Sequence, residues 1–450
     1  MRTPFPRRVT AFAFAGMLAS IAPAAQAAQT ESGGDPLRRA ANPGWTIDPP
    51  GLQAWAVVKA VDPGGAAAAA GLRAGDGLFA IDGRRIDTAT TLEDTLFALR
   101  AGQQPRLEIL RDGRPMTLRI ELPPLPLEQI PGVDVELTSV LSDRGHRLRT
   151  VVTRPKGMTG RRPGLFLAGW LSCDSVEIPV GPPDGFNLLL RGLAAKSGFV
   201  TMRMDKPGIG DSEGPACSAL DFETELAGYR AAFRAFRARP DVDPDRILVI
   251  GMSNGGGYAP LVTGDLKAAG FIASGGWSKT WLEHMLEVER RRLTLRGDAP
   301  GVVSAKMRGT AELYDRYLNG RRTPGDVIRD HPHLAPLWPG DPVRQYGRPA
   351  EFYWQLQALN LGEVWSKVDV PTLALWGEHD WVMSREDHER IAALVNKNRP
   401  GAGTFRAVAK MNHGYWIHDT LEQSFHDPGS GKFHEGLVDE VVAWMKEAVK

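Results

Sequence analysis

From about residue 129 onward, short apolar runs alternate with stretches whose apolar positions recur every three or four residues. The runs are Gly164 to Ala168, Phe199 to Met204, Arg246 to Ile250, Phe271 to Gly275 and Thr372 to Trp376. Runs of this length between helical segments read as doubly buried strands, so the alternation predicts an α/β domain over 129–450, with a mostly parallel sheet covered by helices on both faces. Glu136 to Leu141 and Arg147 to Thr153, around Asp143-Arg144-Gly145, predict a leading hairpin. Between Gly276 and Val368 the alternation is interrupted. Helical stretches at Trp281 to Leu295 and Val302 to Asn319, then a Pro-rich passage, predict an insertion over about 277–367 that caps the sheet.

The front half has a different rhythm. Residues 45–122 predict a small β-rich unit: a strand at Ala54 to Val61, a helical turn at Ala66 to Ala70 ended by Gly71, and a strand at Leu78 to Ile81. A helix at Thr91 to Arg100 follows, then a hairpin in which Leu107 to Leu110 and Met116 to Leu122 flank Arg111-Asp112-Gly113-Arg114. The polar, aperiodic residues 28–44 predict a linker, and 123–128, with Pro123-Pro124-Leu125-Pro126, a stiff extended one.

Residues 1–27 predict a cleaved signal peptide: Arg2, Arg7 and Arg8, an apolar run from Val9 to Ile21, and Ala25-Gln26-Ala27 as a small-x-small cut site. That run is too short to span a bilayer, which needs roughly 20 residues, so no integral membrane segment is expected after cleavage. The expected location is periplasmic or secreted. Arg7-Arg8 alone is weak evidence for a twin-arginine route.

The chain has 450 residues and a net charge of +1, and loss of 1–27, which hold three arginines and no acid, leaves −2. That balance speaks against a nucleic-acid binder. Export changes the meaning of the two cysteines, Cys173 and Cys217. In an oxidising compartment they are expected to pair, closing a loop worth roughly 4 kcal/mol in chain entropy, rather than to lie as separate buried thiols.

The chemistry concentrates at strand ends. Arg246 to Ile250 runs into Gly251-Met252-Ser253-Asn254-Gly255, a G-x-S-x-G turn between strand and helix that presents Ser253 as a nucleophile. Serine needs a base held in the right tautomer by an acid. Thr372 to Trp376 leads to Gly377-Glu378-His379-Asp380 and Thr404 to Ala409 to Asn412-His413, so Asp380 is the expected acid, with Glu378 its competitor, and His413 the expected base. The oxyanion donors are expected to be the backbone amides of Asn254 and Trp170. His418 and His426 read as surface residues. His331 and His333 lack partners for a metal, and no metal or organic cofactor is implied.

Residues 129–450 thus resemble the α/β-hydrolase superfamily of serine hydrolases, and Met204 to Gly214 (MDKPGIGDSEG) is similar to its Asp-x-x-Gly-x-Gly-x-Ser turn. The resemblance implies hydrolysis of an ester, thioester or amide through an acyl-enzyme, with Asp205, Gly208, Gly210 and Ser212 shaping a loop beside the site. Residues 45–122, through AGLRAGD and IDG, resemble a bacterial-type PDZ domain. That implies capture of a peptide or protein partner by strand addition, with the carboxylate-binding loop near Pro50-Gly51-Leu52-Gln53. A spacer or docking role is the plainer reading of this module.

The expected function is an exported serine hydrolase acting on a small-molecule ester. A serine peptidase of the aminopeptidase or prolyl-oligopeptidase type is the alternative, and a non-catalytic PDZ adaptor on a hydrolase scaffold belongs to another class. Trp281, Trp338, Trp354 and Trp365 fall in the insertion, and Trp170, Trp376, Trp381 and Trp416 beside the catalytic loops. They suggest an apolar substrate, although packing of cap onto core accounts for them more simply. Arg290-Arg291-Arg292 reads as a solvated helix face.

Overall fold

The computed structural model describes residues 37–51, 54–178 and 183–450. The expected signal peptide, residues 28–36 of the expected linker, and Leu52 and Gln53 of the expected peptide-binding loop lie outside the described residues.

The N-terminal unit is an antiparallel sheet with two helices. In chain order it comprises β1 (Trp45–Asp48), β2 (Ala56–Val61), α1 (Ala66–Ala69), β3 (Gly77–Ile81), β4 (Arg84–Arg85), α2 (Ala89–Phe97), β5 (Arg106–Arg111) and β6 (Arg114–Arg119). The Asp82-Gly83 and Asp112-Gly113 pairs both take positive φ, as a two-residue hairpin turn requires, with glycine bearing the second left-handed position at no steric cost. The sheet order is β1-β2-β3-β5-β6, and Ile47, Val58, Leu78, Leu92, Leu107 and Ile109 fill its core.

Strand β1 was not expected. It pairs antiparallel with β2, whose other side pairs with β3. The edge position belongs to β1.

The second unit contains β7 (Val133–Leu141), β8 (Arg147–Pro155), β9 (Arg162–Ala168), α3 (Gly185–Lys196), β10 (Val200–Met204), α4 (Phe222–Arg237), β11 (Val242–Met252), α5 (Asn254–Tyr258) and β12 (Gly270–Ser274). The insertion supplies α6 (Trp281–Leu295), α7 (Pro300–Tyr314), α8 (Pro324–Asp330), the small hairpin β13 (Arg344–Gln345) and β14 (Arg348–Pro349), α9 (Ala350–Gln357) and α10 (Leu361–Ser366). The chain ends with β15 (Thr372–Gly377), α11 (Arg385–Asn398), β16 (Gly403–Val408), α12 (Leu421–His426) and α13 (Glu435–Ala448). The sheet runs β16-β15-β12-β11-β9-β10-β8-β7, parallel from β16 to β10 and antiparallel at the β8–β7 end.

Pleating divides each central strand between two cores. Leu165, Leu167, Leu248 and Ile250 face α3 and α13, whereas Phe166, Ala168, Ile247 and Val249 face α4 and the insertion. Phe233 and Phe236 of α4 are fully buried, a contribution of roughly 1.5–3 kcal/mol each. A Cβ on Gly164 would meet the Phe236 ring at 2.8 Å, so glycine is what lets α4 seat this closely.

The two expected linkers are not free connections. Arg39 pairs with Glu177 at 2.9 Å and Asp211 at 2.7 Å, and the Leu37 carbonyl accepts from Arg149 at 3.2 Å. The Ala40 amide donates to Asp211 at 2.6 Å, so residues 37–41 form a strap on the second unit. Across the other junction, the Leu125 amide donates to Ala40 at 2.8 Å, and buried Glu128 pairs with Arg203. Local composition predicted solvent here, but these charged groups find buried partners far away in sequence. Helix α2 completes the joint: Asp94 accepts from Ser218 at 2.5 Å, and Phe97 packs on Cys173, Ile209 and Cys217.

Removing the guanidinium would leave Glu177 and Asp211 buried with less compensation. Arg39→Met is therefore expected to cost about 3 kcal/mol and to open the joint to protease, read by thermal unfolding and limited proteolysis. Unchanged stability and cleavage would show that the strap carries no docking energy.

Candidate active site

Three loops at the carboxyl end of the parallel strands bring the expected residues together. Ser253 stands between β11 and α5 at φ 56° and ψ −122°, a conformation that L-residues seldom adopt. Its surroundings enforce it. The Ser253 amide donates to Ser274 O at 2.9 Å, and a Cβ on Gly251 would meet Gly255 O at 2.3 Å. On Gly255 it would meet Ala168 O at 2.2 Å and Gly169 O at 2.4 Å. The glycines of the motif thus allow three backbone segments to touch.

His413 Nε2 lies 3.0 Å from Ser253 Oγ, and His413 Nδ1 lies 2.8 Å from Asp380 Oδ2. With Asp380 ionised, Nδ1–H donates to the carboxylate and Nε2 is left to accept from the serine hydroxyl. The other Asp380 oxygen accepts from the Val382 and Met383 amides at 2.8 and 2.9 Å. Burial of Asp380 acts to raise its pKa, but His413 and the Met383 amide outweigh it and hold the carboxyl below its ordinary value. Glu378, the competitor, instead accepts from the Lys410 amide.

The loop after β9 carries Trp170. Its ring packs on Phe186 at 5.3 Å, and Phe186 meets the His413 ring at 5.9 Å, so one aromatic wall joins the loop to the histidine. Among the described residues, neither the Trp170 nor the Asn254 amide donates to a backbone carbonyl outside the regular elements. Cys173 and Cys217 are disulfide-bonded, with Cα atoms 6.1 Å apart, just beyond this loop.

In the turn after β10, Gly208 and Gly210 take positive φ, and Ser212 Oγ donates to Asp205 O at 2.9 Å while accepting from the Arg149 amide at 2.8 Å. Asp205 Oδ1 accepts from the Val176 amide at 2.7 Å. These residues shape the loop, as the resemblance implied. Burial pushes the Asp205 carboxyl up to about 7, further than the hydrogen bonds can offset.

Several contributors escaped sequence reasoning. Trp277 Nε1 donates to Asn254 Oδ1 at 3.1 Å, placing an indole beside the residue after Ser253. His418, expected at the surface, is buried because Asn412 Nδ2 lies 2.9 Å from its Nε2 and its carbonyl lies 2.9 Å from His379 Nδ1. His426 is exposed, as expected. Within 290–292, Arg291 binds the carbonyls of Trp381 and Val382, so it braces the Asp380 loop rather than facing solvent. The tryptophans of the insertion are mostly spoken for: Trp365 donates to Gly257 O at 2.9 Å and Trp354 to Tyr317 O at 2.8 Å. No cluster of His, Cys, Asp and Glu suited to a metal occurs among the described residues, and His331 and His333 sit at the end of α8 and in the turn after it.

Fold and site together define an α/β-hydrolase preceded by a PDZ domain. The PDZ-domain profile matches residues 43–122. The chain belongs to the serine aminopeptidase family S33, whose profile matches residues 189–417, about half its length. Solved structures similar to it include an esterase of Pyrococcus furiosus, 11% identical, covering 72% of this chain and 98% of that one at a TM-score of 0.43. A hypothetical protein of Pseudomonas aeruginosa is 16% identical, covering 72% and 96% at 0.45. Acetyl xylan esterase 1 of a Thermoanaerobacterium species is 15% identical, covering 72% and 87% at 0.40.

The raised Asp205 pKa has a defined sign. From about pH 4 to pH 7 the native state keeps a proton that the unfolded chain has released, so this group makes stability fall as pH rises through that window. Asp205→Asn should flatten that part of the stability profile. An identical slope of melting temperature against pH in both proteins would reject the assignment.

Proposed function

We propose that this protein is an exported serine hydrolase that cleaves carboxylic esters through an acyl-enzyme. The observation that carries the reading is His413 bridging Ser253 and Asp380 at 3.0 and 2.8 Å, with Ser253 held on a strained turn. In this mechanism His413 Nε2 removes the hydroxyl proton as Ser253 Oγ attacks the ester carbonyl. Asp380 holds the ring and stabilises the imidazolium, and the Asn254 and Trp170 amides receive the oxyanion. His413 then protonates the departing alkoxide. Water, activated by the same nitrogen, releases the acid and restores the serine.

Peptide hydrolysis is the second reading, favoured by the description of the family and by a PDZ module able to hold a peptide. An adaptor without activity would not need the close serine, histidine and aspartate contacts. Export is supported by the pattern of residues 1–27 and by the disulfide, which persists in oxidising compartments.

Fluorophosphonate should label the wild type and not Ser253→Ala, and Asp380→Asn should lower kcat about 10³- to 10⁴-fold by favouring the wrong tautomer. Labelling of Ser253→Ala equal to wild type would remove Ser253 from the mechanism. To separate the two substrate classes, p-nitrophenyl acetate and an aminoacyl p-nitroanilide are compared. Turnover of the anilide alone would replace the esterase reading with the peptidase one. N-terminal sequencing of protein recovered from the periplasm should begin at Ala28, and an intact Met1 would reject cleavage.

A further inference from the structure

Beneath the loop that carries Trp170 lies a set of buried charges that the mechanism above does not use. Lys206 Nζ donates to the carbonyls of Trp170 and of Ser172, the latter at 2.6 Å. Arg348 donates to the Leu171 carbonyl from Nε at 3.2 Å and from Nη2 at 2.9 Å. Glu225 of α4 is their common counter-ion, 2.8 Å from Arg348 and 3.8 Å from Lys206, and the side chains of all three are at most 2% exposed. Two tyrosines complete the set. Tyr229 OH accepts from the Gly169 amide at 3.0 Å, and Tyr258 OH lies 3.4 Å from both Gly169 O and Glu225.

Peptide planarity gives these bonds a direction. A trans peptide carries its N–H opposite its C=O, so a held carbonyl fixes where the next amide points. The planes 168–169, 170–171 and 171–172 are held by Tyr229, Lys206 and Arg348. The plane between them, 169–170, presents the Trp170 amide, and its freedom to tilt is limited from both sides.

Taking three ionised side chains out of water is costly, and a turn of this size could be packed by apolar residues instead. What carbonyl-directed cations supply is orientation. Arg348 also comes from the insertion, on β14, whose hairpin neighbour Arg344 donates to Ser218 O at 3.3 Å. Correct seating of the insertion and correct aim of the Trp170 amide are therefore one event.

We propose that Arg348, with Lys206 and Glu225, is a positioning residue for the oxyanion donor, acting through the carbonyls of residues 170–172. It touches no reacting atom, and it rests on the hydrolase reading given above.

The test uses the full mature chain, p-nitrophenyl acetate as substrate and an alkyl trifluoromethyl ketone as a tetrahedral-adduct inhibitor. In Arg348→Met/Glu225→Gln the closest ion pair leaves together, while Lys206 keeps its bonds to the Trp170 and Ser172 carbonyls. The expected result is kcat lower by about 10- to 100-fold with KM within about twofold, and inhibitor affinity weakened by the same factor as kcat/KM. Arg348→Lys keeps the charge beside Glu225 but not the two-pronged grip on Leu171, and it is expected to lose kcat/KM and inhibitor affinity by one common factor, smaller than in the double variant. It serves as the deciding variant if the double variant does not fold. A folded variant with wild-type kcat, or with lowered kcat and unchanged inhibitor affinity, would overturn the positioning role while leaving the hydrolase reading intact. A wild type that neither reacts with fluorophosphonate nor turns over the ester overturns both.

Discussion

The site depends on how closely the turn after β11 approaches the loop after β9. With less than 2.5 Å available for a side chain at Gly255, the carbonyls of Ala168 and Gly169 rest directly on the start of α5. That approach brings the Asn254 amide and the Trp170 loop to the same edge of the sheet. It also explains the unusual backbone of Ser253, since a turn squeezed between β12 and β9 has few other ways to enter a helix. Packing of α4 through Gly164 sets the depth of the same corner from below.

Charge, rather than apolar surface alone, joins the parts. Arg39 and Arg149 share Asp211, Arg203 holds Glu128, and Arg348 and Lys206 share Glu225. Each set is buried and each links elements distant in sequence. Such pairs add little net stability when exchanged for apolar packing, but they penalise wrong alignments severely because a misplaced partner strands an ion. Here they lie where alignment matters most, at the PDZ joint and under the Trp170 loop.

Much of this was legible in the sequence where the signal is local. The G-x-S-x-G turn follows a recognisable strand, and Asp380 and His413 follow two more, so strand ends alone located all three. The Asp112-Gly113 pair marked the turn between β5 and β6. Strand β1 was missed because four residues, Trp45 to Asp48, are too few to display alternation before Pro49 and Pro50. The strap looked like linker because its composition is polar, whereas Arg39 finds its partners 138 and 172 residues away. Arg348 carried no local signal. Lys206 left a weak one, a lysine two residues after a fully buried strand, where an unpaired cation could not stay.

The strap also constrains the order in which the molecule can be assembled. The N-terminal sheet has its core within residues 47–122 and can form as soon as that stretch has been synthesised. The backbone of residues 39–41 can pair with residues 99–101 as soon as that sheet has formed, but the Arg39 guanidinium and the Leu37 carbonyl lack their partners until Arg149, Glu177 and Asp211 exist. The Arg39 guanidinium is thus among the last groups to find its partners, and the two units become one body only when the larger one is complete.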